Sequence, residues 1–401
     1  MSTYVTVPGA PSPFIVNPYN TPYNLQVANQ IASILAVAQS NGTLFVQNYA
    51  PAPPIPSLPS VPAGDIGELA VTGASGYIQV PSGYTFTAIG PTVQGGSSVT
   101  GPFTVSGGGS LFVGNQNVTY FGQAAAGTVL IAAGDGNSLF ALPGGTTYDV
   151  AMGNGSDTVY GNGSGTITGG SGNNLIFADS AGGSNIVNSF GGHDTIVAGA
   201  GNVTINSGGV DPRIWGGSNN LVFIGTTAGN PTISGPTGSG HETLFGGAGQ
   251  NMTYQDGSGT VPGSAILAAG TGNETLNAGG SKYGAQLAAG LGTVSMTGSS
   301  GNDVFYGGSG VATMTGNGGS DLFQFASASE PGGQHGGLNI VTDFNSSDTF
   351  NTVGYGANAA QNALGAATVS GGNLTVKLSD GTTVEFLGVS STSTFQHVNS
   401  Y

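Results

Sequence analysis

Cysteine is absent from this 401-residue chain, and basic residues nearly so: Arg213, Lys282 and Lys377 stand against 18 acids, for a formal charge of −15. Without thiols there is no disulfide framework and no cysteine nucleophile. So acidic a balance lacks the cations that a phosphate backbone needs, which excludes nucleic acid as a partner. Charged residues make up only 5% of the chain, yet no run of 18 apolar residues occurs, so no helical membrane span is expected. The start, MSTYVTVPGAPSP, has no basic stretch followed by an apolar one. It does not read as a Sec-type signal.

Glycine is what the chain has in excess, with 76 residues and no three-residue period, which rules out collagen. A hydrophobic content of 38% is too high for simple disorder. Both fit many short strands joined by tight turns. Excess carboxylate suits divalent cations, which also relieve self-repulsion.

One helix is legible, PYNLQVANQIASILAVAQS at 22–40. Leu25, Ala28, Ile31, Ala32, Leu35 and Ala38 share one face, and Asn41-Gly42 supplies a stop. It is expected to cap the end of the strand-rich region after it; the alternative is a docking helix for a neighbouring molecule, since its polar face (Asn24, Gln26, Asn29, Gln30, Ser33) is uncharged. The segment APAPPIPSLPSVP at 50–62 reads as a semi-rigid polyproline linker.

From about residue 65 short apolar clusters recur, and beyond 150 they acquire glycine turns. Aligned nonapeptides include MGNGSDTVY at 152, GGSGNNLIF at 169, TGSGHETLF at 237, AGTGNETLN at 269, GSSGNDVFY at 298, GGSGVATMT at 307 and GNGGSDLFQ at 316. Repeats on this scale specify a solenoid whose units bury their apolar faces only against neighbours. Glycines at the second and fourth places are expected at positive φ. The apolar residue at or beside the eighth place (Val159, Ile176, Ile196, Val222, Leu244, Leu276, Phe305, Met314, Phe323) points inward. Two units close one coil of eighteen residues, giving about fifteen coils over 65–345 at ~4.8 Å per strand step.

These nonapeptides resemble the RTX repeat, G-G-x-G-x-D-x-U-x, of proteins exported by type I secretion. The resemblance covers roughly 130–401 and implies a parallel β-roll binding Ca2+ in rows along its edges. Sixth-place acids would be the ligands: Asp157, Asp194, Asp303 and Asp321, with Glu242 and Glu274 in the same place. Asp303 and Asp321 lie eighteen residues apart and would share one ion, while Ala312 leaves the opposite edge blank. Most sixth places depart from the pattern (Ser138, Gly165, Asn174, Val203, Asn220, Asn251, Val294), so only a few ions are expected. GGLNIVTDFNSSDTFNTVG at 336–354 resembles the segment that ends such rolls. Asp343 and Asp348 are its acids, and Asn339 is expected to keep the phase eighteen residues after Asp321. GGNLTVKLSDGTTVEFLGV reads as a hairpin about Asp380-Gly381 that caps the roll. By the same resemblance the uncleaved end at Tyr401 carries the export signal.

The expected fold is therefore all-β, a parallel β-roll or β-solenoid with a short N-terminal helix and a C-terminal capping hairpin. Its segments are 1–49, an arm with one helix; 50–64, a Pro-rich linker; 65–150, a calcium-poor solenoid; 151–350, the RTX-like roll; and 351–401, the hairpin and export signal.

No catalytic constellation is found. The histidines are His193, His241, His335 and His397; HETLF at 241 starts like H-E-x-x-H but has Phe245 at the second histidine, and no G-x-S-x-G occurs. Arg213 and Trp215 in DPRIWGG read as a loop or bulge, with the tryptophan packed. The expectation is a secreted, non-enzymatic structural protein, extracellular or on a bacterial cell surface. It would assemble with copies of itself into a filament, layer or biofilm matrix, as RTX-based surface layers do. Deleting residues 1–62 is then expected to abolish assembly and leave the roll folded. The rival is a monomeric adhesin or a carbohydrate- or ice-binding module using rows of Thr, Asn and Ser, with a cell-surface or matrix polysaccharide as partner.

Overall fold

The computed structural model describes residues 5–7, 14–16, 22–50, 57–71, 75–90, 102–124, 127–179, 182–226, 229–235, 240–255, 265–330 and 336–401. Residues 51–56 of the proline segment and His335 lie outside the described residues. Two compact units divide the chain, residues 1–203 and 204–401.

Each unit is a parallel β-solenoid built from two sheets, with successive coils adding one strand to each. In the first unit one sheet runs in steps from Leu44–Tyr49 to Ser184–Ser189, and the other from Gly76–Val80 to Thr195–Ala198. In the second unit one sheet runs from Leu221–Gly225 to His397–Ser400. The other starts at Arg213–Trp215 and ends with Leu338–Val341 against Thr383–Phe386. Side chains alternate along every strand, and the inward ones form apolar columns, among them Val159, Ile176 and Ile196, and separately Phe305 and Phe323. Val222 is the exception to the expected inward set: it is half-buried, and its neighbours Leu221 and Phe223 face the core.

The helix forms at Pro22–Ser40 as its spacing predicts, but it does not cap an end. It lies on the outer face of the first sheet, where Val27, Ala28, Ile31 and Leu35 pack on Phe86, Phe112, Leu130 and Ala132. This explains why Ser110–Val113 and Thr128–Ala132 read as unbroken apolar runs rather than alternating ones: both their faces are covered. Asn24, assigned from sequence to the wet face, is fully buried, and its Nδ2 donates to the carbonyls of Met152 (2.7 Å) and Ala133 (3.3 Å). Strand Leu44–Tyr49 pairs with Ile66–Val71, so it too belongs to the solenoid.

The eighteen-residue coil holds only locally. Gln286, Val304 and Leu322 are in register at eighteen-residue steps, but Thr128 pairs with Thr147, nineteen on, and Thr243 with Ile266, twenty-three on. Leu322 pairs with Thr349, twenty-seven on, because a loop before Leu338–Val341 adds nine residues to the coil. A uniform eighteen therefore overcounts the coils. Residues 213–215 form a strand rather than a loop, with Ile214 buried and Trp215 exposed on the outside, not packed.

Most repeat glycines also serve a purpose other than the one expected. Gly153, Gly155, Gly170, Gly172, Gly290 and Gly292 do not adopt positive φ; among the described fourth-place glycines Gly192 (φ 64°), Gly249 (φ 72°) and Gly319 (φ 109°) do. A Cβ on Gly170 or Gly172 would instead collide with the carbonyl oxygen of Gly153 or Gly155, one coil back. The turns stack backbone on backbone, and that close approach demands glycine.

At the C-terminus Asn373–Lys377 returns antiparallel on Thr383–Phe386, with Gly381 N donating to Leu378 O at the turn, so the capping hairpin forms as expected. A short helix, Ala359–Gly365, which no sequence signal flags, packs beside His397–Ser400, and Phe344, Phe350, Phe386 and Phe395 close the core end.

Candidate calcium sites

Every acid expected in the sixth place sits at or just before the first residue of a strand, or within one, and turns inward. Asp157, Asp194, Glu242, Glu274, Asp303, Asp321 and Asp348 are all buried; Asp343 is half-buried. Burial of so many carboxylates requires donors, and the stacked coils supply them. In the first unit Val118 N donates to Ser138 Oγ, Ser138 N to Asp157 Oδ1, Asp157 N to Asn174 Oδ1, and Asn174 N to Asp194 Oδ1, at 2.7–3.1 Å. In the second unit Ala285 N donates to Asp303 Oδ1, Asp303 N to Asp321 Oδ1, and Asp321 N to Asp348 Oδ1, at 2.6–3.0 Å. The sixth place is thus a ladder in which each side chain accepts the N–H of the same place one coil earlier.

A second ladder, which the sequence pattern alone does not disclose, runs beside it in the opposite sense. The fifth-place asparagines accept from the following coil: Ser156 N donates to Asn137 Oδ1, His193 N to Asn173 Oδ1, and Ser320 N to Asn302 Oδ1, each at 2.8 Å. The recurring Gly-Asn before the sixth place is its one signal in the sequence.

The asymmetry between Asp303, Ala312 and Asp321 has a direct reading. Asp303 and Asp321 stack one coil apart in one sheet, while Ala312 lies in the other, inside strand Val311–Thr315 and between Val294 and Asn339. Asn339 does not continue the Asp321 row as its phase suggests; Asp348 does, because this coil is nine residues longer than eighteen. Asp343 is placed alongside, accepting from Gly316 N (2.8 Å) and Asn317 N (2.7 Å).

The electrostatics favour a cation. Burial raises Asp321 to about 7, and repulsion from Asp303, Asp348 and Asp343 adds to the rise. Burial likewise raises Asp157 to about 7 and Asp194 to about 6, and lifts Asp303, Asp348 and Glu274. Asp157 Oδ2 and Glu274 Oε2 are buried with no hydrogen-bond partner, so neither oxygen is committed to a protein donor. Asp194 and Asp303 differ. Asp194 takes Asn174 Nδ2 and Ser189 Oγ besides the ladder bond. Asp303 takes Ser299 N and Oγ besides Ala285 N. Both carboxylates are filled by protein donors, so free capacity lies with Asp321, Asp157 and Glu274. Among the described residues no three His, Asp or Glu side chains converge as a metal cluster. An ion here would complete its six to eight oxygens from turn carbonyls.

The described histidines, His193, His241 and His397, are all exposed, and no helix of the described residues is long and apolar enough to cross a membrane.

Comparison with known proteins agrees with this geometry. The model of the RTX calcium-binding nonapeptide repeat matches four copies, at residues 159–181, 188–220, 236–252 and 295–323. No curated protein matches the chain. The matched segments carry Asp194, Glu242, Asp303 and Asp321, and such repeats bind calcium and are typical of secreted proteins. The chain carries RTX calcium-binding nonapeptide repeats, set within its β-solenoid.

Proposed function

We propose that this is a secreted structural protein that folds on meeting extracellular calcium and assembles with copies of itself. The observation that carries the reading is the state of its first strands. Leu44–Tyr49 and Gly76–Val80 each pair on one side only among the described residues, and neither contains a charge or a proline. Natural sheets blunt such edges with Lys, Pro or a covering element. The C-terminal end is treated in that way, since a returning hairpin closes one sheet and helix Ala359–Gly365 flanks the last strand of the other. An unblunted edge suits addition of a strand from another copy. Millimolar calcium would fill the acid ladders outside the cell, where weak extracellular-type sites load. Titrating calcium into chelated protein, with circular dichroism and negative-stain microscopy on the same samples, tests this: folding and ordered polymers should appear together. Asn48→Lys and Gln79→Lys, both at exposed positions, should abolish the polymers and leave the fold; polymers unchanged by both would refute it.

A second reading is favoured by one surface. In the second unit Thr232, Thr253, Thr275, Ser295 and Thr313 form one outward column, and Ser234, Gln255, Asn277, Thr297 and Thr315 the next, in register over five coils. This uncharged hydroxyl and amide face in so acidic a protein supports a binding module for an ordered hydroxylic surface, a polysaccharide or ice. Monomeric protein that pulls down with insoluble polysaccharide or shapes ice, with both effects lost on Thr275→Lys and Thr313→Lys, would move this reading ahead.

A further inference from the structure

Glu68 has no place in the calcium ladders. It lies in strand Ile66–Val71 at 0% exposure, and both its carboxyl oxygens are buried with no hydrogen-bond partner. Its register neighbours are Val46 and Phe86. By alternation it shares the face of Ile66 and Ala70, which is the face covered by helix Pro22–Ser40. The acid therefore sits inside the apolar layer between helix and sheet.

Among the described residues no cationic side chain lies near enough to neutralise it. Residues 1–203 contain no Lys or Arg. The helix, strand Leu44–Tyr49 and strand Tyr84–Ile89 contribute only Tyr23, Tyr49 and Tyr84 as titratable groups, and Ser110–Val113 and Thr128–Ala132 contribute none. Asp149, further along the same face, accepts a hydrogen bond from Tyr23 Oη. The helix dipole opposes the charge as well. Asn24, near the helix start, reaches Ala133 and Met152, whereas Ser40 leads through Thr43 into Leu44–Tyr49, the strand next to that of Glu68. The carbonyl end of the helix thus approaches Glu68, with no basic residue in its last turn.

We propose that Glu68 is a protonation latch for the N-terminal helix: the neutral acid is accommodated beneath it, and the ionised acid drives it off the face of Phe86, Phe112 and Leu130. A buried carboxylate without partner or counter-ion cannot ionise in place, so it ionises by opening its cover. Burial alone raises Glu68 to about 8, which places the opening on the alkaline side of neutrality. Tyr23 and Asp149 form a separate pair at the other end of the helix.

The test uses the full chain in millimolar calcium. Ala28 is fully buried under the helix, and the chain has no native thiol, so Ala28→Cys reports helix opening by its rate of thiol modification, normalised to a free thiol at each pH. Between pH 6 and 9 that normalised rate should rise more than tenfold, and adding Glu68→Gln should flatten it. Equal pH profiles with and without Glu68→Gln overturn the proposal. So does a profile that survives Glu68→Gln and vanishes in Tyr23→Phe, which would assign the latch to the Tyr23–Asp149 pair. If Ala28→Cys does not fold, hydrogen exchange of the helix amides in the otherwise unaltered chain, corrected for intrinsic rates, gives the same two outcomes.

Discussion

Asp303 donates its backbone N–H to Oδ1 of Asp321, one coil further on, at 2.8 Å, so the two acids are joined through the backbone of one and the carboxylate of the other. Their side chains are not equivalent. Asp303 Oδ1 and Oδ2 receive Ala285 N, Ser299 N and Ser299 Oγ, whereas Asp321 is repelled by Asp303, Asp348 and Asp343. Asp321→Asn keeps an oxygen for the Asp303 N–H and removes a repelled charge. In chelator it should leave stability equal or higher, while shrinking the calcium-induced rise in melting temperature. Asp303→Asn should lower stability in chelator by about 1–3 kcal/mol, because buried donors lose an ionised acceptor. Thermal melts of both variants with and without calcium check the opposite signs; matching signs in chelator would contradict the ladder.

Gly172 shows how closely the turns stack. A Cβ there would meet the Gly155 carbonyl carbon and oxygen one coil back, and backbone cannot rotate aside as a side chain can. Gly172→Ala should cost about 2–4 kcal/mol. Gly182→Ala should cost less, near ~1 kcal/mol, since its strain is conformational (φ 82°) and its Cβ meets nothing within 4 Å. Denaturant midpoints of the two variants in calcium give the ranking directly.

The buried acids fix a pH dependence whose sign is opposite to that of salt-bridged carboxylates. Asp157 is raised to about 7 and Asp194 to about 6 from an ordinary 3.8, so over that interval the folded chain retains protons that the unfolded chain has released. Fewer protons on the unfolded state means stability falls as pH rises, by up to about 1.4 kcal/mol per unit for each fully shifted group. Glu68 extends the same trend towards pH 8. In chelator the urea midpoint should therefore drop between pH 4.5 and 7.5. Calcium, which binds the ionised forms, should flatten or reverse that slope. A midpoint in chelator that rises over the interval would show that the carboxylates are ionised and satisfied in the folded state.

Much of this is legible in the sequence because a nonapeptide repeat makes each place recur with one environment. Phe305 and Phe323 read as core, and Asp303 and Asp321 as a stacked pair, and the structure places them so. Asn339 misleads because eighteen-residue arithmetic ignores a loop that adds one repeat length and preserves the phase; 348 and 321 differ by a multiple of nine just as 339 and 321 do. The role of Gly170 is hidden because a glycine needed for close approach and one needed for positive φ are the same letter. Asn24 is hidden because its helix is amphipathic by period, and the carbonyls it reaches, on Ala133 and Met152, belong to residues more than a hundred positions away.

The N-terminal segment behaves in the structure as cover, and this changes what its removal should do. Helix Pro22–Ser40 buries Phe112, Leu130 and Ala132 on the outer face of the sheet, and Asn24 ties it to two successive coils. Deleting residues 1–43 would expose that apolar patch and leave the Asn24-paired carbonyls to water, so the truncated chain should aggregate or lose its first coils rather than remain a folded, assembly-deficient roll. Asn24→Ala is the gentler probe: it removes two buried hydrogen bonds and should lower stability by about 1–3 kcal/mol without aggregation. Size-exclusion chromatography with light scattering, run beside calcium-dependent melting, separates the cases. A truncated chain that stays monomeric and melts as the full chain does would return the segment to the role of a free arm.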